Sequence, residues 1–425
     1  MRILQLVHGY PPRETAGTEQ HTRQLAEGLR ARGHAVHVFS ATRAPGRRQY
    51  STFGSPGTTH LVNNLPTRPL ERAERDRAVE AAVADTIARV RPDLVHVQHL
   101  QFLSSGLRFP VPTVGTLHDA WGWCAAGGTL LEGGTAPCAG PEPGRCAPCA
   151  ARWAPVPGRT ATALARGAGW LAPLVDPDRL HALYQRLPGH LRLQVERGKC
   201  PPAAPAAAAR RNAAMLDFYR SLDVRIAPSR FLAHAAEAAG TGPVDVVPHG
   251  VPPIPAPRGD RAGVRDGPFL FLGTVAHHKG PDLVLSAWRR AFPGGTPGLR
   301  ICGPVADARL IGGHPLEGPL DRAGVEDALT RSRALVLGSR WPENAPLVIL
   351  EARAAGCPVI APAIGGVPEL VEEGVDGWLY RAGDADDLER VLREAALTFV
   401  NPRPPRTLEA QLDDTLAAYA RAGAS

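Results

Sequence analysis

From residue 2, and again in the second half of the chain, short apolar runs alternate with amphipathic stretches of helical period. In the first half Ile3–Val7 reads as a strand and the loop "PPRETAGTEQ" follows it. From about Glu19, the residues His21, Leu25, Ala26 and Leu29 fall on one helical face that Gly33 closes. "HAVHVFSA" returns as a strand, with further strands expected at "DLVHVQ" (93–98) and "PTVGTLH" (112–118). The second half restarts with strands at "DVVPHG" (245–250) and "PFLFLG" (268–273). It continues through a helix at "PDLVLSAWRRAF", a strand at "LRICG" and two more helix–strand pairs. Strands that alternate with helices build parallel sheets covered on both faces, so the expected fold class is α/β with two Rossmann-like, doubly wound domains. Such sheets bind ligands beyond the carboxyl ends of their strands, which puts the default site in a central cleft between the halves.

The expected boundaries follow from the same pattern. Residues 1–225 form a first domain with a cysteine-rich loop at 124–149 and a helical insertion at about 155–222, and residues 226–404 form a second domain. Residues 405–425 form a helix with Leu408, Leu412, Leu416 and Tyr419 on one face, which returns to the first domain. A length of 425 residues suits more than one core. The net charge of +7 fits a solvated basic surface, an anionic lipid face or an acidic acceptor. With 5 % aromatic residues and no basic-aromatic module, nucleic acid is not an expected partner. The apolar run at the N-terminus is too short for a signal peptide, and no stretch approaches the roughly 18 apolar residues of a membrane span. The expected location is cytoplasmic, with peripheral contact at the inner membrane face.

Two carboxylates, Glu343 and Glu351, bracket the start of one helix in "SRWPENAPLVILEARAAGCPVIAP". Pro346 suits the first turn, and Gly356 ends the helix. Glu351 then lies about 7–8 Å along the axis from its start, at about 1.5 Å per residue. Between the two lie free N–H groups and the positive end of the helix dipole, which favour phosphate. A nucleotide-sugar fits this spacing, with its sugar on Glu343, its diphosphate over the helix start and its ribose diol on Glu351. The plain alternative is a helix-entry carboxylate followed by a solvent-face residue.

Glu343-x7-Glu351, within "PENAPLVILEARAAGCPVIAPAIGGVPELVEEGVDGWL", resembles the signature of family 4 glycosyltransferases with the GT-B fold. "AGTEQHTRQLAEGLRARGHAVHVFS", "TLHDAWGWC", "VVPHGV" and "FLGTVAHHKGPDLVLSAW" extend the likeness over nearly the whole chain. The resemblance implies retention of anomeric configuration, a nucleotide-sugar donor (a UDP- or GDP-sugar), a saccharide, lipid-linked or small-molecule acceptor, and no catalytic metal. It implies that Glu343 contacts the transferred sugar and that the backbone of Asn344, Ala345, Pro346 and Leu347 meets sugar and phosphate. By the same likeness Glu351 holds the ribose, and Lys279 neutralises the leaving diphosphate. His118 faces the cleft, and Gly17 lets the backbone of the first domain approach phosphate. Two departures from the family pattern are visible. Ala16-Gly17 stands where the family often has Gly-Gly. Gly273, which ends the first strand of the donor domain, is followed by Thr274 rather than arginine. His277, His278 or Arg230 are the candidates for the missing second phosphate cation.

"DADD" at 384–387 resembles a metal-binding acidic motif, but its place before "LERVLREAA" reads as a helix cap. Cys124, Cys138, Cys146 and Cys149 are spaced as a tetrahedral thiolate site can be, and the expectation is a structural zinc. An iron–sulfur cluster and reduced thiols are the alternatives. Two other functional classes fit the fold: a catalytically idle nucleotide-sugar-binding or scaffold protein, and a GT-B sugar epimerase. The presence of His118, Lys279 and Glu343 together argues for transfer.

Overall fold

The structure is a computed structural model that describes residues 1–44, 47–63, 205–254 and 267–424, and 73–149 apart from 125, 133–135, 139, 143 and 147. Most of the expected helical insertion therefore lies outside the described residues. Its described end forms a helix at Pro205–Arg220.

The strands of the first half are β1 (Arg2–Val7), β2 (Ala35–Thr42), β3 (Thr52–Phe53), β4 (Thr58–Val62), β5 (Leu94–Val97) and β6 (Thr113–Thr116). A small hairpin, β7 (Leu131–Glu132) with β8 (Ala136–Pro137), stands apart, and β9 (Val224–Ala227) and β10 (Asp245–Val246) follow. One sheet runs β10-β9-β6-β5-β1-β2-β4-β3, parallel except for the edge pair β3–β4. In β1 every residue after Arg2 is buried, as expected of a central parallel strand covered on both faces. On one face lie α1 (Gly17–Ala31) and the last helix of the chain. On the other lie α2 (Arg77–Val90), α3 (Pro205–Arg220) and α4 (Arg230–Ala239), around Phe39, Val97, Phe218 and Leu232.

The second sheet runs β12 (Leu299–Cys302), β11 (Phe269–Leu272), β13 (Ala334–Val336), β14 (Val359–Pro362), β15 (Gly377–Tyr380), all parallel. It is flanked by α5 (Pro281–Ala291), α6 (Arg322–Arg331), α7 (Leu347–Ala354) and α8 (Ala385–Leu397). Asp384 accepts hydrogen bonds from the N–H groups of Asp386 and Asp387 at the start of α8, so the acidic run caps a helix.

Two expectations shift. "DVVPHG" does not open the second half: β9 adds to β6 in parallel register (Val114↔Val224) and β10 to β9 (Val246↔Ala227), which makes β10 the edge of the first sheet. The first sheet therefore continues past residue 225 to Val246. The final helix, α9 (Leu408–Arg421), lies against the first sheet, with Leu412 and Tyr419 fully buried beside Ile3, Val7 and Leu25. Tyr419 Oη meets His96 Nδ1 at 2.7 Å, and Arg32 pairs with Glu409 and Asp413. The chain thus crosses between the halves twice. The crossings lie side by side: Val251 bridges to Thr407, Leu408 N–H donates to the Val251 carbonyl (3.1 Å), and Gly250 N–H donates to Gln411 Oε1 (2.8 Å). Among the described residues no helix is long and apolar enough to cross a membrane.

Candidate functional site

The site forms where β11, β13 and β14 of the second sheet end. After β11 the chain makes a one-turn helix at His277–Lys279 and then Gly280, whose φ of +62° suits a residue without Cβ. A Cβ there would stand 2.0 Å from the carbonyl of Gly338, just beyond β13, so two glycines let these turns touch. Arg340 clamps the contact by donating to both oxygens of Asp282 and to the His277 carbonyl, each at 2.8 Å.

This contact brings Lys279 to Glu343. Lys279 Nζ donates to Glu343 Oε1 at 2.7 Å, and Ser339 Oγ donates to the same oxygen at 2.7 Å. Glu343 is only 6 % exposed. Burial pushes its carboxyl pKa up, but the charge and hydrogen bond of Lys279, with Ser339, outweigh that and hold it below the usual glutamate value. Lys279 also lies 5.1 Å over the Trp341 ring. From below, Gly366 N–H donates to the Glu343 carbonyl at 2.8 Å. A Cβ on Gly366 would stand 2.0 Å from the Asn344 carbonyl.

Asn344, Ala345 and Pro346 lead into α7, with Pro346 as its N-cap and Leu347 its first residue. No side chain caps that terminus, so its leading N–H groups are left for an anion. Glu351, the fifth residue of α7, accepts from Arg322 Nη1 at 2.7 Å. Burial raises the Glu351 carboxyl above its ordinary value, although Arg322 pulls the other way.

His118 faces these residues from the first sheet. Asn344 Nδ2 donates to the His118 carbonyl at 3.0 Å, and Asn344 Oδ1 accepts from Ser229, so Asn344 ties the halves together at the site. His118 Nε2 donates to Gln98 Oε1 at 2.9 Å, which leaves Nδ1 as the acceptor side of the ring. Its ring centroid lies 4.9 Å from that of His21 and 5.7 Å from that of His249. Burial, then the neighbouring His21 and His249, hold His118 well below the ordinary histidine value, so it is neutral. Gly17 opens α1, and neither it nor Gly273 has any atom within 4 Å of where a Cβ would stand.

Residues 15–134 match Glycosyltransferase Family 4, and residues 263–397 match Glycosyl transferases group 1, together more than half of the chain. The chain belongs to the family 4 glycosyltransferases of GT-B fold. It is 32 % identical over 176 residues to a D-inositol 3-phosphate glycosyltransferase of Mycolicibacterium smegmatis, covering 36 % of this chain and 39 % of that one. To the corresponding protein of Segniliparus rotundus it is 30 % identical over 219 residues, covering 43 % and 48 %. The matches thus span less than half of these relatives. Among solved structures, Anabaena HepE in complex with UDP and glucose superposes with a TM-score of 0.54 at 15 % identity, over 99 % of this chain and 95 % of that one. Sucrose-phosphate synthase from Thermosynechococcus elongatus gives 0.54 at 18 %, over 99 % and 96 %.

In this family member two of the three substitutes considered for the second phosphate cation, His278 and Arg230, have other roles. Burial, then Lys279, lowers His278 to about 4, which leaves it neutral. Arg230 Nε lies 3.6 Å from Glu369. The third, His277, has an exposed side chain, and its carbonyl accepts from Arg340 Nη1 at 2.8 Å.

The four cysteines of the expected thiolate site lie in one loop region of the first half. Among the described residues, no group of three or more His, Cys, Asp or Glu side chains is arranged to hold a metal ion, while Cys138 lies near enough to act electrostatically on Cys124, and Cys138 and Cys149 on Cys146. Cys124 packs against the first core, and burial raises its thiol. Cys138 Sγ turns back to its own loop and donates to the Gly140 carbonyl, while Cys149 Sγ lies near the Leu131 carbonyl.

Ser339, Trp341, Arg322, Gln98 and Gly366 were not legible as site residues. Ser339 and Trp341, four and two residues before Glu343, share its loop; the others arrive from separate elements.

Proposed function

We propose that the chain is a retaining glycosyltransferase that moves a sugar from a nucleoside diphosphate donor to a hydroxyl of its acceptor. The observation that carries the reading is the ionised, buried Glu343 paired with Lys279 at the uncapped start of α7, with Glu351 one helix turn and more beyond. In this reading Glu343 accepts from hydroxyls of the transferred sugar, and the first N–H groups of α7 meet the phosphates. Glu351 accepts from the ribose diol. Transfer breaks the bond between the anomeric carbon and the β-phosphate oxygen and forms one to the acceptor oxygen on the same face. The acceptor proton passes to the departing phosphate. Charge grows on that phosphate as the bond breaks, and Lys279 with the helix dipole supplies the opposing charge that a divalent ion supplies elsewhere.

The solved HepE with bound UDP-glucose makes UDP-sugars the first donors to try. A thermal-shift panel of UDP, GDP, ADP and dTDP with their glucose conjugates identifies the nucleotide, because ligand binding raises the midpoint with ligand excess over its dissociation constant. Incubation of the best donor with candidate acceptors, read by anomeric proton coupling in the product, then tests transfer and retention. Binding without turnover on any acceptor or water favours an idle binding protein. No binding by any of the four nucleotides removes the reading.

A further inference from the structure

We propose that Arg322 is a positioning residue for the nucleotide end of the donor, acting through its ion pair with Glu351, an inference that rests on the reading of Glu351 as the ribose ligand. Arg322 is the first residue of α6, whose start is fixed by Asp321 accepting from the Gly324 N–H at 2.8 Å. Its guanidinium is gripped from two sides: Nε donates to Glu326 Oε1 at 2.6 Å and Nη1 to Glu351 Oε1 at 2.7 Å. Glu326 lies one turn along the same helix, so it braces the arginine rather than competing for it. The result is a carboxylate–guanidinium–carboxylate bracket between α6 and α7.

The bracket does two things to Glu351. It occupies Oε1 and fixes the plane of the carboxylate, which leaves Oε2 to accept from a ribose hydroxyl. It also opposes burial, which by itself favours the protonated form. The charged groups that act on Glu351 are Arg322 and Glu326, both on α6, the helix packed against α7. Without Arg322 the carboxyl would face Glu326 with no positive charge between them. It would then hold a proton toward neutral pH and lose acceptor capacity toward the diol. Lysine, a single point charge, would restore the charge but not the two-sided grip.

The test is calorimetric binding of UDP and 2′-deoxy-UDP to the wild-type chain and to Arg322→Ala, Arg322→Lys and Glu351→Ala at pH 6, 7 and 8. If the panel selects another base, its ribo and 2′-deoxy nucleotides take their place. Arg322→Ala is expected to bind the ribonucleotide about 10- to 100-fold more weakly at pH 7, the range for a lost hydrogen bond to a charged group. The deficit should narrow as pH rises to 8 and widen at pH 6, because the raised Glu351 ionises only at higher pH. Its preference for ribo- over deoxynucleotide should collapse toward that of Glu351→Ala, and Arg322→Lys should fall between. Wild-type affinity in Arg322→Ala at all three pH values would overturn the proposal. So would a deficit with wild-type pH slope and wild-type ribose preference, which would mean that Arg322 touches the nucleotide itself or only supports the fold. If Arg322→Ala does not fold by circular dichroism, Arg322→Lys carries the same readouts. Wild-type binding by Glu351→Ala would instead defeat the assignment of Glu351, a separate outcome.

Discussion

Lys279 and Glu343 share one hydrogen bond of 2.7 Å although 64 positions separate them in sequence. The contact exists because Gly280 and Gly338 let two strand-end turns meet backbone to backbone. The pair is ready-made: the carboxylate is ionised and oriented, and two ammonium hydrogens of Lys279 stay available.

Replacement of Lys279 by Ala should therefore lower kcat/KM about 100- to 1000-fold, equivalent to about 2.7–4 kcal/mol of transition-state stabilisation. Steady-state kinetics with the donor chosen by thermal shift will check it. Glu343→Gln should lower kcat more than it raises donor KM. A Glu343→Gln enzyme with wild-type kcat at saturating donor would take Glu343 off the sugar.

Gly366 should tolerate no side chain. A methyl group there would press on the Asn344 carbonyl, and the neighbouring Gly365 at φ +63° resists substitution as well. Gly366→Ala is expected to lose about 1–3 kcal/mol of stability and to displace Glu343 together with Asn344. Urea denaturation gives the first quantity and kcat the second; an unchanged midpoint with unchanged turnover would contradict both.

Acid should weaken the fold through His21 and His96. Burial lowers them to about 4 and about 3, against an unfolded value near 6.5. A group whose folded pKa is depressed contributes stability above its unfolded pKa and loses it as pH falls toward the folded one. The loss runs between about pH 6.5 and 4, at up to about 1.4 kcal/mol per pH unit for each group. His21 has a further reason to stay neutral, since its Nε2 accepts from Gln411 Nε2 at 2.6 Å while Gln411 Oε1 serves Gly250. Unfolding free energies between pH 7 and 4.5 should fall with acid, and less steeply in His21→Gln.

Chelation offers a fourth check. Because Lys279 and the start of α7 supply the positive charge in the proposed mechanism, initial rates should persist in millimolar EDTA. An immediate loss that Mg²⁺ or Mn²⁺ restores would assign that role to a divalent ion.

The sequence carried the parts of the site that lie on one element. Glu343 and Glu351 flank a single helix start, so their spacing was readable, and the alternation of apolar runs announced both sheets. Contacts between elements left no such trace. Arg322 reaches Glu351 from another helix, and Gly366 supports Asn344 from beyond β14. "DVVPHG" misled because a strand's pattern states that it is buried but not which sheet buries it: the open edge beside β9 decided that.

The paired crossings at Val251 and Thr407 have a mechanical corollary. A single connecting strand leaves two bodies free to swivel about it, whereas two strands held edge to edge, with Gly250 latched to Gln411, resist torsion and yield mainly to bending. Motion between the halves should thus be that of jaws on a flat hinge. Asn344 would return to the same carbonyl of His118 at every closure, and deleting the last helix would cost the enzyme its alignment as well as its packing.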